Sequence, residues 1–181
     1  MMNSDLVKRA TWFATLAHGE QKRKYSDEPY VTHPIAVARI IHTLSPPFAK
    51  DCQVLAAAIL HDVVEDTPAT LDSIELFFGH SVADLVEQVT DISQLEDGNR
   101  AFRKAMDRGH LRMATPGGAT IKVADLIHNA KSIIRDDKNF ARVFIKEMKS
   151  TLPVLEERGA CVNLLNIANE IVYDYEEKNN G

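Results

Sequence analysis

Two cysteines, Cys52 and Cys161, are all that 181 residues contain, and they stand far apart in the chain. They offer neither the close spacing of a thiolate metal site nor the number needed for a disulfide framework, so a reducing cytoplasm is the expected setting. No apolar run approaches the roughly 20 residues that span a bilayer. The N-terminus mixes Asp5, Lys8 and Arg9 into its apolar residues, which reads against a signal peptide or anchor. Positive charge is also scarce: 21 Lys and Arg against 26 Asp and Glu leave a net charge of -5. General nucleic-acid binding and a membrane partner are therefore not expected, although local basic patches stay open. No stretch sustains the period-two alternation of a half-buried strand, and no internal repeat is present, which leaves an all-α fold.

What the chain does have is hydrophobic content, 45%, at a length that suits one compact domain over residues 1–181. Apolar positions at helical spacing predict a first helix over residues 5–18, capped by Ser4 or Asn3, and then a polar loop over 19–32 in which a small hairpin near 24–31 is compatible with the fold. Pro34 suits the first turn of a second helix that runs to Pro46-Pro47, which leaves His33 at its N-terminal edge. The apolar run from Val54 to Leu60 reads as a buried helix, a short helix closes at Gly79, and Ser81 with Asp84 matches a capping box for the next. Charges crowd residues 96–112, where Gly109 weakens a continuous helix. Helical spacing resumes beyond Pro116-Gly117-Gly118, and two further helices are expected over 139–157 and 160–177, before a frayed, solvated tail. Trp12 and the pair Phe77-Phe78 read as core.

Chemistry concentrates in Leu60-His61-Asp62-Val63-Val64-Glu65-Asp66-Thr67. On a helix His61 would lie beside Glu65, and Asp62 beside Glu65 and Asp66, so one imidazole and three carboxylates would share a patch at the end of a core helix. Adjacent negative charges that are half removed from water repel and desolvate badly, and a divalent cation resolves that conflict. The plain alternative is a helix end with solvated acids.

A metal needs ligands beyond His61 and Asp62, and two other segments carry suitable candidates. His33 stands at a helix start, and Asp125 sits among apolar neighbours in Ile121-Lys122-Val123-Ala124-Asp125-Leu126-Ile127-His128-Asn129. Lys122, Asp125 and Asn129 fall on one helical stripe. Two imidazoles and two carboxylates make an N/O set that suits manganese, iron or zinc in a catalytic role. Glu65 and Asp66, beside the ligand pair, are then placed to orient or deprotonate a water.

These residues resemble the metal signature of the HD phosphohydrolase superfamily, and the extended His61-Asp62-Val63-Val64-Glu65-Asp66 is similar to that of the (p)ppGpp hydrolases, including the stand-alone small alarmone hydrolases of the stringent response. The likeness includes Gln21-Lys22-Arg23-Lys24, Pro29-Tyr30-Val31-Thr32-His33-Pro34, Phe78-Gly79, Val89-Thr90-Asp91 and Ile121-Lys122-Val123-Ala124-Asp125. It implies an all-α, compact multi-helix HD-domain phosphohydrolase bundle and Mn²⁺-dependent removal of the 3′-pyrophosphate from guanosine tetra- and pentaphosphate. By the same resemblance His33, His61, Asp62 and Asp125 hold the metal, and Glu65 and Asp66 handle the catalytic water. Arg23, Lys24, Tyr30, Lys122 and Asn129 fall where the family contacts guanine, ribose or phosphates. At this length the chain resembles the stand-alone form rather than the bifunctional enzymes. One departure stands out: the family usually has Arg or Lys after the metal-binding Asp, and here that position is Leu126.

Two rival readings accompany this one. The first is an HD hydrolase of the same build acting on the 2′-phosphate of NADPH or on a pyrophosphorylated tRNA end, as in toxin-neutralising relatives. The second is a non-catalytic nucleotide-sensing module, against which the intact Glu65-Asp66 pair argues. A homo-oligomer and a toxin partner stay open. His18, His42, His80, His110 and His128 read as ordinary polar histidines.

Overall fold

The computed structural model describes residues 4–180 and is all-α among them, with ten α-helices, one 3₁₀ turn and a single isolated antiparallel bridge between Lys22 and Pro29. The chain divides into two compact units, residues 1–90 and 91–181.

In the first unit, α1 (Asp5–His18) starts as expected, its Ser4 hydroxyl accepting from the Val7 amide at 3.3 Å, while the alternative cap Asn3 lies outside the described residues. In the loop that follows, where a small hairpin near residues 24–31 is compatible with the fold, the bridge pair is Lys22 with Pro29, and the Tyr30 amide donates to the Gln21 carbonyl at 2.8 Å. α2 (Thr32–Leu44) begins two residues before Pro34, so His33 lies inside its first turn and is buried. α3 (Cys52–Leu60) is buried from Val54 through Leu60, and it packs against α1, α2 and α6 (His80–Val89).

The helix does not run on through the His61-Asp62 pair as the spacing argument assumed. It breaks there and restarts as the four-residue α4 (Val63–Asp66). At the break the His61 Nδ1 lies 2.8 Å from the Ala58 carbonyl. α5 (Leu71–Phe78) closes at Gly79 as expected. The capping box belongs to Thr70 and Ser73 at the start of α5, and the anticipated Ser81–Asp84 box is not formed. Gly79, at φ 87, turns the chain so sharply that α6 starts at His80, one residue before the expected cap. Asp84 instead accepts from the Gln88 side chain at 2.8 Å.

Trp12 is 67% exposed and Phe77 50% exposed, so neither is core. With Phe13, Leu16 and Phe78 they line an open apolar groove on α1 and α5.

The second unit holds α7 (Arg100–Leu111), α8 (Pro116–Asp136), α9 (Lys138–Glu157) and α10 (Val162–Asn180). α7 runs straight through Gly109, since Asn99 caps it and Leu111 anchors its last turn in the core. α8 packs on α9 and α10, and it takes Gly117 and Gly118 into its buried first turn behind the Thr115 cap. α10 stays helical to Asn180, where a frayed tail was expected; a Lys149–Glu176 ion pair at 2.8 Å ties its last turns to α9.

Candidate metal centre

The first unit brings three of the four expected ligands together. His33, His61 and Asp62 each offer one ligand atom, and the three atoms lie within 4.8 Å of one another. His33 Nε2 is 3.3 Å from Asp62 Oδ2, and His61 Nε2 is 3.1 Å from Asp62 Oδ1. Two donors held by one ion at about 2.0–2.2 Å each sit about 3 Å apart when adjacent, so this spacing is what a shared metal requires.

The protonation pattern points the same way. The group that His61 Nδ1 meets at 2.8 Å is a carbonyl, which cannot donate, so Nδ1 carries a proton and Nε2 is the ring atom turned to the Asp62 carboxylate. Nε2 and Asp62 Oδ1 stand 3.1 Å apart, close enough to share a proton or a cation. Burial works against the Asp62 charge, but His61 and His33 outweigh it and hold its carboxyl well below the ordinary carboxylate range. The residues present therefore fit a divalent metal: two buried imidazoles and an ionised carboxylate in a mixed N/O set.

Tyr30 completes the wall. Its hydroxyl donates to Asp62 Oδ2 at 2.8 Å, and burial, together with the Asp62 and Asp66 carboxylates, pushes its pKa far up, so it stays a phenol and a donor. Sequence reasoning placed Tyr30 among substrate contacts; its hydroxyl bonds the carboxylate of the candidate metal cluster. Arg23 lies over the same ring at 5.6 Å from its centroid, and Lys24 lies over Tyr25 at 4.9 Å. Glu65 and Asp66 are exposed on α4, one turn beyond the ligand pair.

The remaining candidates sit on α8 in the second unit, and their expected stripe is present there. Asn129 Nδ2 donates to Asp125 Oδ1 at 2.7 Å, while Lys122 Nζ is 3.8 Å from Asp125 Oδ2 and 3.6 Å from Asp91 Oδ1. Asp125 itself is 7% exposed. Lys104 extends this network, pairing with Asp91 and, at 3.2 Å, with the buried Asp107. The link from Lys104 to Lys122 through Asp91 had no signal in local spacing, since the three residues come from three separate segments.

Residues 10–150 match a family model described as HD domain. The chain belongs to the HD-domain family. Among curated HD-domain relatives, the guanosine-3′,5′-bis(diphosphate) 3′-pyrophosphohydrolase MESH1 of Mus musculus is 42% identical over 125 residues, 68% of this chain and 66% of that protein. Its counterpart from Xenopus tropicalis is 38% identical over 137 residues, 74% of each chain. The bifunctional (p)ppGpp synthase/hydrolase SpoT of Escherichia coli is 39% identical over 137 residues, 73% of this chain and 19% of that longer protein. The match to the mouse relative thus spans just under two thirds of its length. A solved structure of a metazoan ortholog of SpoT, which hydrolyzes ppGpp and plays a role in starvation responses, agrees with a TM-score of 0.84 at 29% identity, covering 97% of this chain and 98% of that one.

Proposed function

We propose that this HD-domain chain hydrolyses the 3′-pyrophosphate of guanosine 3′,5′-bis(diphosphate) and of the pentaphosphate, giving GDP or GTP and pyrophosphate. The observation that carries this reading is the His33–His61–Asp62 triad with Glu65 and Asp66 one turn beyond it, in a chain homologous to ppGpp hydrolases. Residues 1–181 act as one hydrolase domain, a reading supported by a family match that runs from residue 10 to 150, across the division at residue 90.

His33, His61 and Asp62 hold Mn²⁺, with Asp125 as the fourth ligand. Bound there, the ion neutralises charge on the phosphoryl group and lowers the pKa of water. Glu65 and Asp66 hold the attacking water and take its proton on a carboxylate oxygen. The water oxygen forms a bond to the phosphorus on the 3′ oxygen, the bond between that phosphorus and the 3′ oxygen breaks, and the departing 3′ oxygen takes up a proton. Tyr30 donates to Asp62 Oδ2 and leaves Oδ1 turned toward His61. Arg23 and Lys24 on the loop and Lys122 and Asn129 on α8 meet the base, ribose and phosphates of the substrate; cations suit a ligand with several phosphates. No helix among the described residues is long and apolar enough to cross a membrane, and the two free cysteines suit a reducing cytoplasm.

The test is to incubate metal-stripped protein with ppGpp, with and without Mn²⁺, beside Asp62→Ala, and to separate the products by anion exchange. GDP and pyrophosphate are expected only from the wild type with Mn²⁺. If ppGpp survives while the wild type binds Mn²⁺, the proposal fails, and NADPH and pyrophosphorylated tRNA become the substrates to try.

A further inference from the structure

The His61–Asp66 turn has a structural problem that local sequence does not solve. α4 has four residues and no side-chain cap at its start, and a helix that short does not pay back its nucleation cost alone. Something outside it must fix where Glu65 and Asp66 stand. One end is closed locally, by Thr67 Oγ1 donating to the Val63 carbonyl at 2.7 Å. The Tyr30 hydroxyl bonds the Asp66 side chain, and a further restraint, on the Asp66 backbone, comes from the end of α1.

His18 closes α1 and is buried, 2% exposed. Its Nδ1 lies 2.9 Å from Gln21 Oε1, and Gln21 Nε2 donates to the Asp66 carbonyl at 2.8 Å. A carbonyl accepts only, so the Gln21 amide must turn its nitrogen to Asp66 and its oxygen to His18, and His18 Nδ1 must be the donor. Nε2 of the same ring is buried and meets no hydrogen-bond partner among the described residues, so the ring's polar anchor is this one bond. The ring also stacks on Tyr30, centroids 4.6 Å apart and planes 33° apart, and the Tyr30 hydroxyl reaches Asp62. His18 thus touches both ends of the turn at one remove: Asp62 through the Tyr30 ring and Asp66 through the Gln21 amide.

We infer that His18 is a positioning residue for the His61–Asp66 turn: its buried Nδ1–H holds the exposed Gln21 amide in the one orientation that restrains Asp66. The effect on turnover rests on the hydrolase reading, whereas the effect on the turn does not. Gln21 faces solvent, where an amide of its length otherwise samples several rotamers. A buried donor selects one of them.

Three variants separate the contributions. His18→Phe keeps a ring against Tyr30 and removes the donor. His18→Asn places an amide N–H near the former Nδ1 and gives up the ring. Gln21→Leu removes the relay at an exposed position, and so remains informative if a change inside the core perturbs folding.

Amide hydrogen exchange of the metal-free protein is the first readout, since it needs no substrate. The Asp66 amide, bonded to the Asp62 carbonyl at 2.9 Å, reports opening of α4. Exchange there should quicken about three- to tenfold in His18→Phe and Gln21→Leu, the effect of losing one hydrogen bond, and stay near wild type in His18→Asn. With Mn²⁺ and ppGpp, kcat should fall about ten- to hundredfold in the first two variants at nearly unchanged KM, with His18→Asn recovering most of it. Wild-type exchange at Asp66 in His18→Phe would overturn the inference. So would an Asn variant as impaired as the Phe variant at a wild-type urea midpoint, because the ring's packing would then matter and the donor would not. A wild type that leaves ppGpp intact overturns the hydrolase reading, and the exchange rates alone then decide for or against His18.

Discussion

Two carboxylates mark the contrast between the two units, Asp62 in the first and Asp91 in the second. Both are partly withdrawn from water, and both are held below the ordinary carboxylate range against the opposing effect of burial. Their neighbours differ in kind. Asp91 faces two ammonium groups, Lys122 at 3.6 Å and Lys104 in closer contact, so its charge is compensated within the protein. Asp62 faces two imidazole nitrogens and a phenol that only donates. Lysines close a charge network within the protein, while two imidazole nitrogens beside one carboxylate make a donor set that a divalent cation can join. Chemistry is expected at that donor set.

The sharpest way to break this comparison is to remove Asp62. Asp62→Ala should abolish both Mn²⁺ binding, read by calorimetry, and pyrophosphate release; retained Mn²⁺ affinity would mean that the triad is not the metal site. Glu65→Gln should lower kcat by about 10²–10⁴-fold, the usual worth of a general base, while Mn²⁺ affinity stays intact. Loss of both together would place Glu65 among the ligands instead. Tyr30→Phe deletes the hydroxyl that bonds Asp62 and Asp66 while keeping the ring, and should cost about ten- to hundredfold in metal affinity or turnover.

Asp91→Asn tests the other side of the contrast through stability. Because the folded pKa of Asp91 is depressed, its contribution is complete above the ordinary carboxylate range and drains away as pH falls through the folded value. The urea midpoint of the wild type should therefore drop more between neutral and acid pH than that of Asp91→Asn; parallel curves would show that the Lys104–Asp91–Lys122 cluster contributes nothing. The smallest effect is expected from Trp12→Ala, within about 0.5 kcal/mol, since most of that side chain faces water.

Legibility followed the range of the interaction. α1, α5 and α9 were readable to within a residue or so because caps and apolar periodicity are local. Gly109 misled because propensity is weak beside the burial of Leu111 and an Asn99 cap. Trp12 misled because a large apolar side chain does not announce which face of its helix meets the core. At the site, spacing placed Lys122, Asp125 and Asn129 on one stripe, and the structure shows Asn129 and Lys122 around Asp125. Spacing could not show that the helix would break at His61, whose Nδ1 meets the Ala58 carbonyl, nor that His18, read as an ordinary polar histidine, would be buried against Tyr30.

The sequence by itself determined the all-α class, the donor types and the HD-type motif, because helical periodicity and ligand chemistry are properties of neighbours along the chain. Only the tertiary structure decided that His33 comes within 3.3 Å of Asp62, that Tyr30 donates to the same carboxylate, and that Gln21 reaches Asp66. Those contacts join residues tens of positions apart, and their geometry is set by how α1, α2 and α3 pack, a result of shared burial that no single segment encodes.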